Sequence, residues 1–465
     1  MKRAQRLCAI VAAAFVAIAL LALHPAGEPG VVMRDFEAYY AAGSTWLAHG
    51  DPYSLAIWRA QSQIPGVVAS RYEVLPFVGV PATLPLWSLF ARFPYQTATL
   101  LWGILLLCAL ATIVITTARL LRASPSNATL TAILALAFVP ITSDFGLGQA
   151  ALPAYAFAVF ALTTPPVLAS IAVALSALQP NVALGLAAMF GSKHTIAALA
   201  AGAVIVYLAG AFAAGAAWPA HYIATLAAHA QAERFAAIQY TPASVLYGFG
   251  APASAAQALA FAIAAVALIV AVRGAVRARS IAHRFAILCC AIPFVAGFFH
   301  EHDFVALFVP AIFALTYGRN ASLAAIATFL VGVNWLDFAQ QPQALPQDAV
   351  LSAALFVAAA GFAPYQNYLA AAIAAIGAIA LGAWIGHTHP LPIWPNSMQG
   401  APHGATIAEV WKNEQLQTGL LRPDAAAAVL RSFALLGSAL LFYLTLNVDV
   451  HEVVERRDRV GMEVL

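Results

Sequence analysis

The chain is a series of apolar blocks separated by short polar or proline-bearing stretches. Blocks fall near 7–23, 74–92, 96–118, 128–143, 150–163, 166–178, 182–191, 195–216, 253–272, 285–299, 303–317, 321–335, 349–365, 367–386 and 427–447. About 20 apolar residues carry a helix across the hydrocarbon core, and fewer suffice where a helix is broken or half-crossing. The pattern predicts roughly 11–15 transmembrane or half-crossing helices. Lys2, Arg3 and Arg6 precede the first block, as in a signal peptide. The many blocks that follow, and the lack of a clean small-x-small cleavage site directly before His24, favour an uncleaved anchor. Block 74–92 holds Pro81 and Pro85, and Gln179-Pro180-Asn181 splits 166–178 from 182–191. Both places read as broken or re-entrant helices.

Composition narrows the class. Of 465 residues, 63% are hydrophobic and 9% charged, against roughly 45–50% and about 25% in soluble domains. So little charge does not cover the surface of a water-soluble enzyme of this size. A disordered chain, a nucleic-acid binder and a disulfide scaffold are excluded as well. Cys8, Cys108, Cys289 and Cys290 all lie in apolar runs without zinc or disulfide spacing. The expected fold is an all-α polytopic membrane protein, a single integral domain over residues 1–465.

The net charge of +3 matters less than where the charges sit. Arg273, Arg277, Arg279 and Arg284 form the strongest basic cluster in a short loop and are assigned to the cytoplasm. Counting from there, Arg119, Arg122, Lys193 and the basic C-terminal 455–459 are internal. A full crossing by 74–92 would upset this parity. The other polar helix ends fall on the far face, among them Asp35, Glu37, Tyr39, Tyr40, Asp51, Asp144, Gln149, Gln179, Asn181, His221, His300, Glu301, His302, Asp303 and Asp337. A charge at bilayer depth costs about 2.5–3.5 kcal/mol on insertion scales and usually faces a cavity or a partner. Convergence of so many on one side points to a polar extracytoplasmic cavity.

Asp35 is the sharpest candidate. It opens Asp35-Phe36-Glu37-Ala38-Tyr39-Tyr40 and is either a helix N-cap or a general base at the membrane surface. His300-Glu301-His302-Asp303 is the second. Histidines at i, i+2 share no helical face, which argues against a zinc site. They read either as support for Asp35 and a phosphate leaving group, or as an interfacial polar cap. Arg34, Arg59 and Arg71 in the first external loop suit a phosphate or a lipid headgroup equally. The stretch 218–250 has the pattern of an amphipathic helix lying on the membrane. The polar extracytoplasmic loop 387–426 either covers the cavity or only connects spans.

These residues also form an ordered series: Asp35-Phe36-x-x-Tyr39-Tyr40, Gly50-Asp51-Pro52-Tyr53, Phe77-x-x-x-Pro81 with Pro85 and Pro94, Leu101-Trp102, Gly148-Gln149, Gln179-Pro180, Ser244 with Gly248, and Asp303-Phe304. Over residues 30–320 the series resembles glycosyltransferase family 87, membrane enzymes of GT-C architecture. The family often has Phe-x-Tyr-Pro-Pro at Phe77–Pro81 and Lys-Pro at Gln179-Pro180, and this chain departs at both. The resemblance implies a polyprenyl-phosphate sugar as donor, mannose or a related hexose as cargo, and a lipid or glycan as acceptor. It implies inverting transfer at the extracytoplasmic face of the plasma (inner) membrane, with no metal or other cofactor.

By the same analogy Asp35 is the general base, supported by His302 or His300. Arg34, Tyr39, Tyr40, Gln149, Gln179, Asn181 and Asp303 complete the candidate substrate-binding set. No Gly-rich phosphate loop follows a strand, as expected where a lipid carries the sugar. The competing reading is a transporter or flippase for a lipid-linked or small solute.

Overall fold

The computed structural model describes residues 3–21, 31–67, 74–341, 344–391 and 406–448. Among them every regular element is helical, as the apolar blocks predict. Six helices are long and apolar enough to cross a bilayer: Arg3–Leu21, Tyr95–Leu120, Lys193–Ala214, Ala253–Arg277, Leu369–Thr388 and Ala425–Leu446. Pro125–Ala137 and Val139–Leu147 form a pair bent by 50°, either a broken span or a re-entrant loop. Pro140 lacks the amide that would continue the hydrogen-bond ladder, and Phe138 between the halves is extended at φ −80° and ψ 100°.

The long helices and the short ones divide the work. Only 17% of the apolar window is buried in both Lys193–Ala214 and Ala253–Arg277. Their exposed Val204, Leu208, Phe212, Phe261 and Val266 make a lipid-facing surface. Shorter apolar helices fill the interior, including Ala151–Ala161, Ile281–Val295 and Phe308–Tyr317. Apolar residues all round a helix are the mark of such a buried position.

Block 74–92 holds a 3-10 turn at Pro81–Thr83 and the seven-residue helix Leu84–Phe90. That helix is too short to cross, in keeping with the broken reading. Pro166–Ser176 and Val182–Leu186 are likewise separate short helices, with Gln179-Pro180 in the turn between them.

Several helix starts near basic residues carry side-chain caps. Ser124, Ser192, Ser280 and Asn320 accept the amides of Asn127, Thr195, His283 and Leu323. Each such cap is worth about 1 kcal/mol. The C-terminal basic run 455–459 and Arg71 lie outside the described residues.

Candidate active site

Aromatic packing fixes the segment that bears Asp35. The Phe36 ring lies flat on Trp102, with centroids 5.6 Å apart, and meets Phe90 edge-on at 5.7 Å. Tyr39 stacks on Trp87 at 4.6 Å. A second strip of chain is tied to this platform: Trp102 Nε1–H donates to the Gly148 carbonyl at 2.9 Å, and the Asp35 amide donates to the Leu147 carbonyl at 2.8 Å. Gly148 is left-handed at φ +73°, and a Cβ there would sit 2.7 Å from the Cβ atoms of Met33 and Phe36. Only glycine lets segments 33–36 and 147–149 approach so closely.

Asp35 occupies the N-cap position of the Phe36–Leu47 helix but makes no capping bond. Its Oδ2 instead accepts from Gln149 Nε2 at 2.7 Å, and Gln149 Oε1 accepts the Tyr39 hydroxyl at 2.7 Å. The cap reading therefore fails, and the carboxylate belongs to a side-chain network. Burial raises the Asp35 pKa above the ordinary carboxylate value; the Gln149 hydrogen bond, His300 and Arg34 pull it partly back.

The segment facing Asp35 follows the Ile281–Val295 helix. Gln239 Oε1 accepts the Phe299 amide at 2.7 Å, which turns the Gln239 amide nitrogen to within 2.9 Å of His300 Nε2. Glu233 Oε2 lies 3.6 Å from the same ring nitrogen. Gln239 donates to the neutral ring, whereas Glu233 favours the charged one, so His300 is poised to hold or release a proton. Burial alone would lower its pKa, yet Glu233, Asp303 and Asp35 together raise it.

Glu233 is fully buried and also meets His229 Nε2 at 3.1 Å and the Trp411 indole N–H at 3.2 Å. Burial opposes its ionisation, but His229 and His300 outweigh burial and hold it below the usual carboxylate range.

Further acids close the site. Asp303 is buried; Gln179 donates to its Oδ1, and the His300 amide donates to its Oδ2 at 2.8 Å. Ser143 Oγ–H donates to Glu301 Oε2 at 2.6 Å. Burial, with Asp337 and Asp303 nearby, pushes Glu301 up to about 8, so it is largely protonated at neutral pH. Asp35, Glu301 and Asp303 all lie within electrostatic reach of Asp144, which accepts the Leu152 amide at 2.5 Å.

The expected convergence is thus present for Asp35, Tyr39, Asp144, Gln149, Gln179, His300, Glu301 and Asp303. Other expectations change. Tyr40 points away from Asp35: its hydroxyl donates to the Phe93 carbonyl at 2.8 Å, and its ring abuts Tyr95 at 5.2 Å. Successive helical residues diverge by about 100°, so Tyr39 and Tyr40 do not share a face. Arg34 is paired with buried Glu37 rather than presented singly to a ligand.

The His302 ring lies parallel to that of His300, 5.5 Å away. His300 is the histidine that contacts Glu233 and Gln239. The Asn181 side-chain nitrogen is buried and has no hydrogen-bond partner among the described residues. Asp51 and His221 line a different cavity, so the single polar face read from the sequence divides in two.

The Trp218–Glu233 helix turns part of its polar side inward. His229 and Glu233 are buried, while Ile223 is exposed. The Ile407–Gln417 helix, from the loop expected over 387–426, packs on it and brings Trp411 to Glu233. Residues 392–405 of that loop lie outside the described residues. The Glu233–His229 pair escaped selection as a site although its i, i+4 spacing was visible.

Comparison of the chain with family models, with curated proteins and with solved structures finds no match.

Proposed function

We propose that the protein is a multi-pass membrane glycosyltransferase. It moves a hexose, mannose or a close relative, from a polyprenyl-phosphate donor to a lipid or glycan acceptor, with inversion. The reaction takes place at the extracytoplasmic face of the plasma (inner) membrane. One observation carries this reading: the Asp35 carboxylate is free of capping duty, is oriented by Gln149 and Tyr39, and lies within electrostatic reach of His300, itself backed by buried Glu233.

In the proposed step, Asp35 takes the proton from the acceptor hydroxyl. The acceptor oxygen bonds to the anomeric carbon from the side opposite the phosphate. The carbon–oxygen bond to the phosphate breaks, and both its electrons leave with the polyprenyl phosphate. His300 in its charged form stabilises that departing anion. Gln149 keeps the basic oxygen of Asp35 aimed, and burial keeps its pKa high enough for useful basicity. Where the resemblance would place a lysine able to contact a phosphate, Gln179 holds Asp303.

The test is incubation of the purified protein with radiolabelled polyprenyl-phosphate-mannose and a panel of lipid and glycan acceptors. The expected result is a labelled glycoside whose anomeric configuration is opposite to the donor's. Movement of labelled lipid between leaflets with no glycoside formed would instead support a flippase. One feature favours that second reading: the bent helix pair ending at Leu147 places Asp144 beside the site, and discontinuous helices are common at transporter sites.

A further inference from the structure

A cavity of about 420 Å³ lies apart from Asp35, between the Gly50–Tyr53 turn, the end of the Lys193–Ala214 span and the start of the Trp218–Glu233 helix. Four aromatic side chains line it, and the polar tip of each is tied to a backbone carbonyl. Trp46 Nε1–H donates to Ala213 at 2.9 Å, and Trp218 Nε1–H to Tyr207 at 3.1 Å. The Tyr53 hydroxyl donates to Gly79 at 2.6 Å, and the Tyr222 hydroxyl to Val78 at 3.0 Å. The rings are therefore locked, and what they offer a ligand is ring surface. They are not stacked flat on one another. Tyr222 stands 6.4 Å from Tyr53 at 60° and 6.2 Å from Trp218 at 51°, so the walls are angled.

The polar groups at this cavity are of a definite kind. Asp51 is exposed; one oxygen accepts the Tyr53 amide at 2.9 Å, which fixes the carboxylate and leaves acceptor capacity toward the opening. His221 is exposed next to Tyr222 on the same helix. Among the described residues no lysine or arginine lines the cavity, so nothing described there matches a phosphate. Locked apolar ring faces, one fixed acceptor and one imidazole able to donate or accept suit a neutral ligand with carbon–hydrogen faces and hydroxyl edges. That is the chemistry of a saccharide. The volume lies in the range of small-molecule sites, about 300–1,000 Å³, and exceeds what a lone ammonium headgroup would fill.

We infer that this cavity is a saccharide-binding subsite for a sugar unit of the acceptor that lies remote from the reacting hydroxyl. As a statement about the acceptor it rests on the glycosyltransferase reading; as a statement about saccharide binding it does not. A row of aromatic contacts joins the two places. Tyr39, which donates to Gln149 beside Asp35, meets Phe77 at 6.3 Å, and Phe77 meets Tyr53 at 5.3 Å. Phe77 itself is buried, so this row couples the two places through packed rings and is not a surface for the glycan.

The test uses the full-length protein in lipid nanodiscs, with mannotriose as the probe and choline as the competing cation. Binding is followed by saturation-transfer NMR and calorimetry. Mannotriose should bind, and its ring protons should receive saturation from aromatic side chains. Asp51→Asn should weaken binding about tenfold, the loss expected when a hydrogen bond to a charged group is removed. His221→Ala, at an exposed position, should weaken it several-fold and serves as the second variant should Asp51→Asn fail to fold.

With polyprenyl-phosphate-mannose as donor and mannotriose as acceptor, Asp51→Asn should raise the acceptor KM and leave kcat near wild type. Failure of wild type to transfer while mannotriose binding stays sensitive to residue 51 would sink the enzymatic reading alone. Binding indifferent to both Asp51→Asn and His221→Ala would overturn the subsite. So would binding of choline in place of mannotriose.

Discussion

Two regions of this molecule use aromatic and acidic side chains in opposite ways. Around Asp35 the polar groups bind one another: Gln149 to Asp35 and Tyr39, Gln179 and the His300 amide to Asp303, Glu233 to His229 and Trp411. Charge is concentrated and oriented there, which is what a proton transfer requires. In the cavity at Asp51 the aromatic tips are tied to backbone carbonyls, and the ring faces are left for a ligand. On the proposed reading, acids serve chemistry in one region and recognition in the other. A substitution should damage rate in the first and affinity in the second.

The largest effect is expected at Asp35. Asp35→Asn keeps the shape and can still hydrogen-bond Gln149, but it cannot accept the acceptor's proton. Transfer should fall about 10²–10⁴-fold, with expression and melting temperature in detergent near wild type. Next comes Glu233→Ala, which leaves two histidines and an indole without their shared acceptor. Breaking a buried ion pair costs about 3–5 kcal/mol, readable as a lowered melting temperature and as lost transfer.

The pair also has a pH signature. Glu233, with its pKa depressed, contributes stability that is full above its unfolded value and lost as pH falls through the lower folded one. His300, with its pKa raised, contributes stability that is full below its unfolded value and lost as pH rises through the higher folded one. The contribution of this pair to thermal stability should therefore be greatest between about pH 4.5 and 6.5, and Glu233→Gln should flatten that contribution.

His300→Gln should reduce kcat/KM about 10²-fold, the scale of removing one stabilising donor at a developing anion. The smallest effect is expected at Gly148→Ala. Strain at positive φ costs about 1–3 kcal/mol, and the new methyl would push against Met33 and Phe36. Melting should drop modestly, and transfer should fall with it because Asp35 is displaced from Gln149.

Much of this arrangement was legible in the sequence for physical reasons. A long apolar run has few alternatives to a spanning helix, so Tyr95–Leu120 and Lys193–Ala214 were plain. Asp35, Gln149, Gln179 and Asp303 stood at the ends of apolar blocks on one predicted face, and they do meet. The short helices were harder, because a half-crossing segment such as Val182–Leu186 has the same composition as part of a full span.

Glu233 was missed for a related reason. The polar stripe of an amphipathic helix reads alike whether it faces headgroups or a buried network, and only the packing of Ile407–Gln417 distinguishes them. Asp51 and His221 were grouped with Asp35 because helix parity fixes a side of the membrane, not a pocket on that side.

The pH dependence of kcat/KM tests most directly whether Asp35 is the base, since that profile reports the free enzyme's essential groups. Asp35 must be ionised to act, and its pKa lies above the ordinary value of about 3.9. Activity should therefore be lost as pH falls through that elevated pKa. His300→Gln removes a positive charge that favours ionisation, so the acid limb should move to still higher pH. An acid limb at the ordinary carboxylate value, or one unmoved by His300→Gln, would contradict the account.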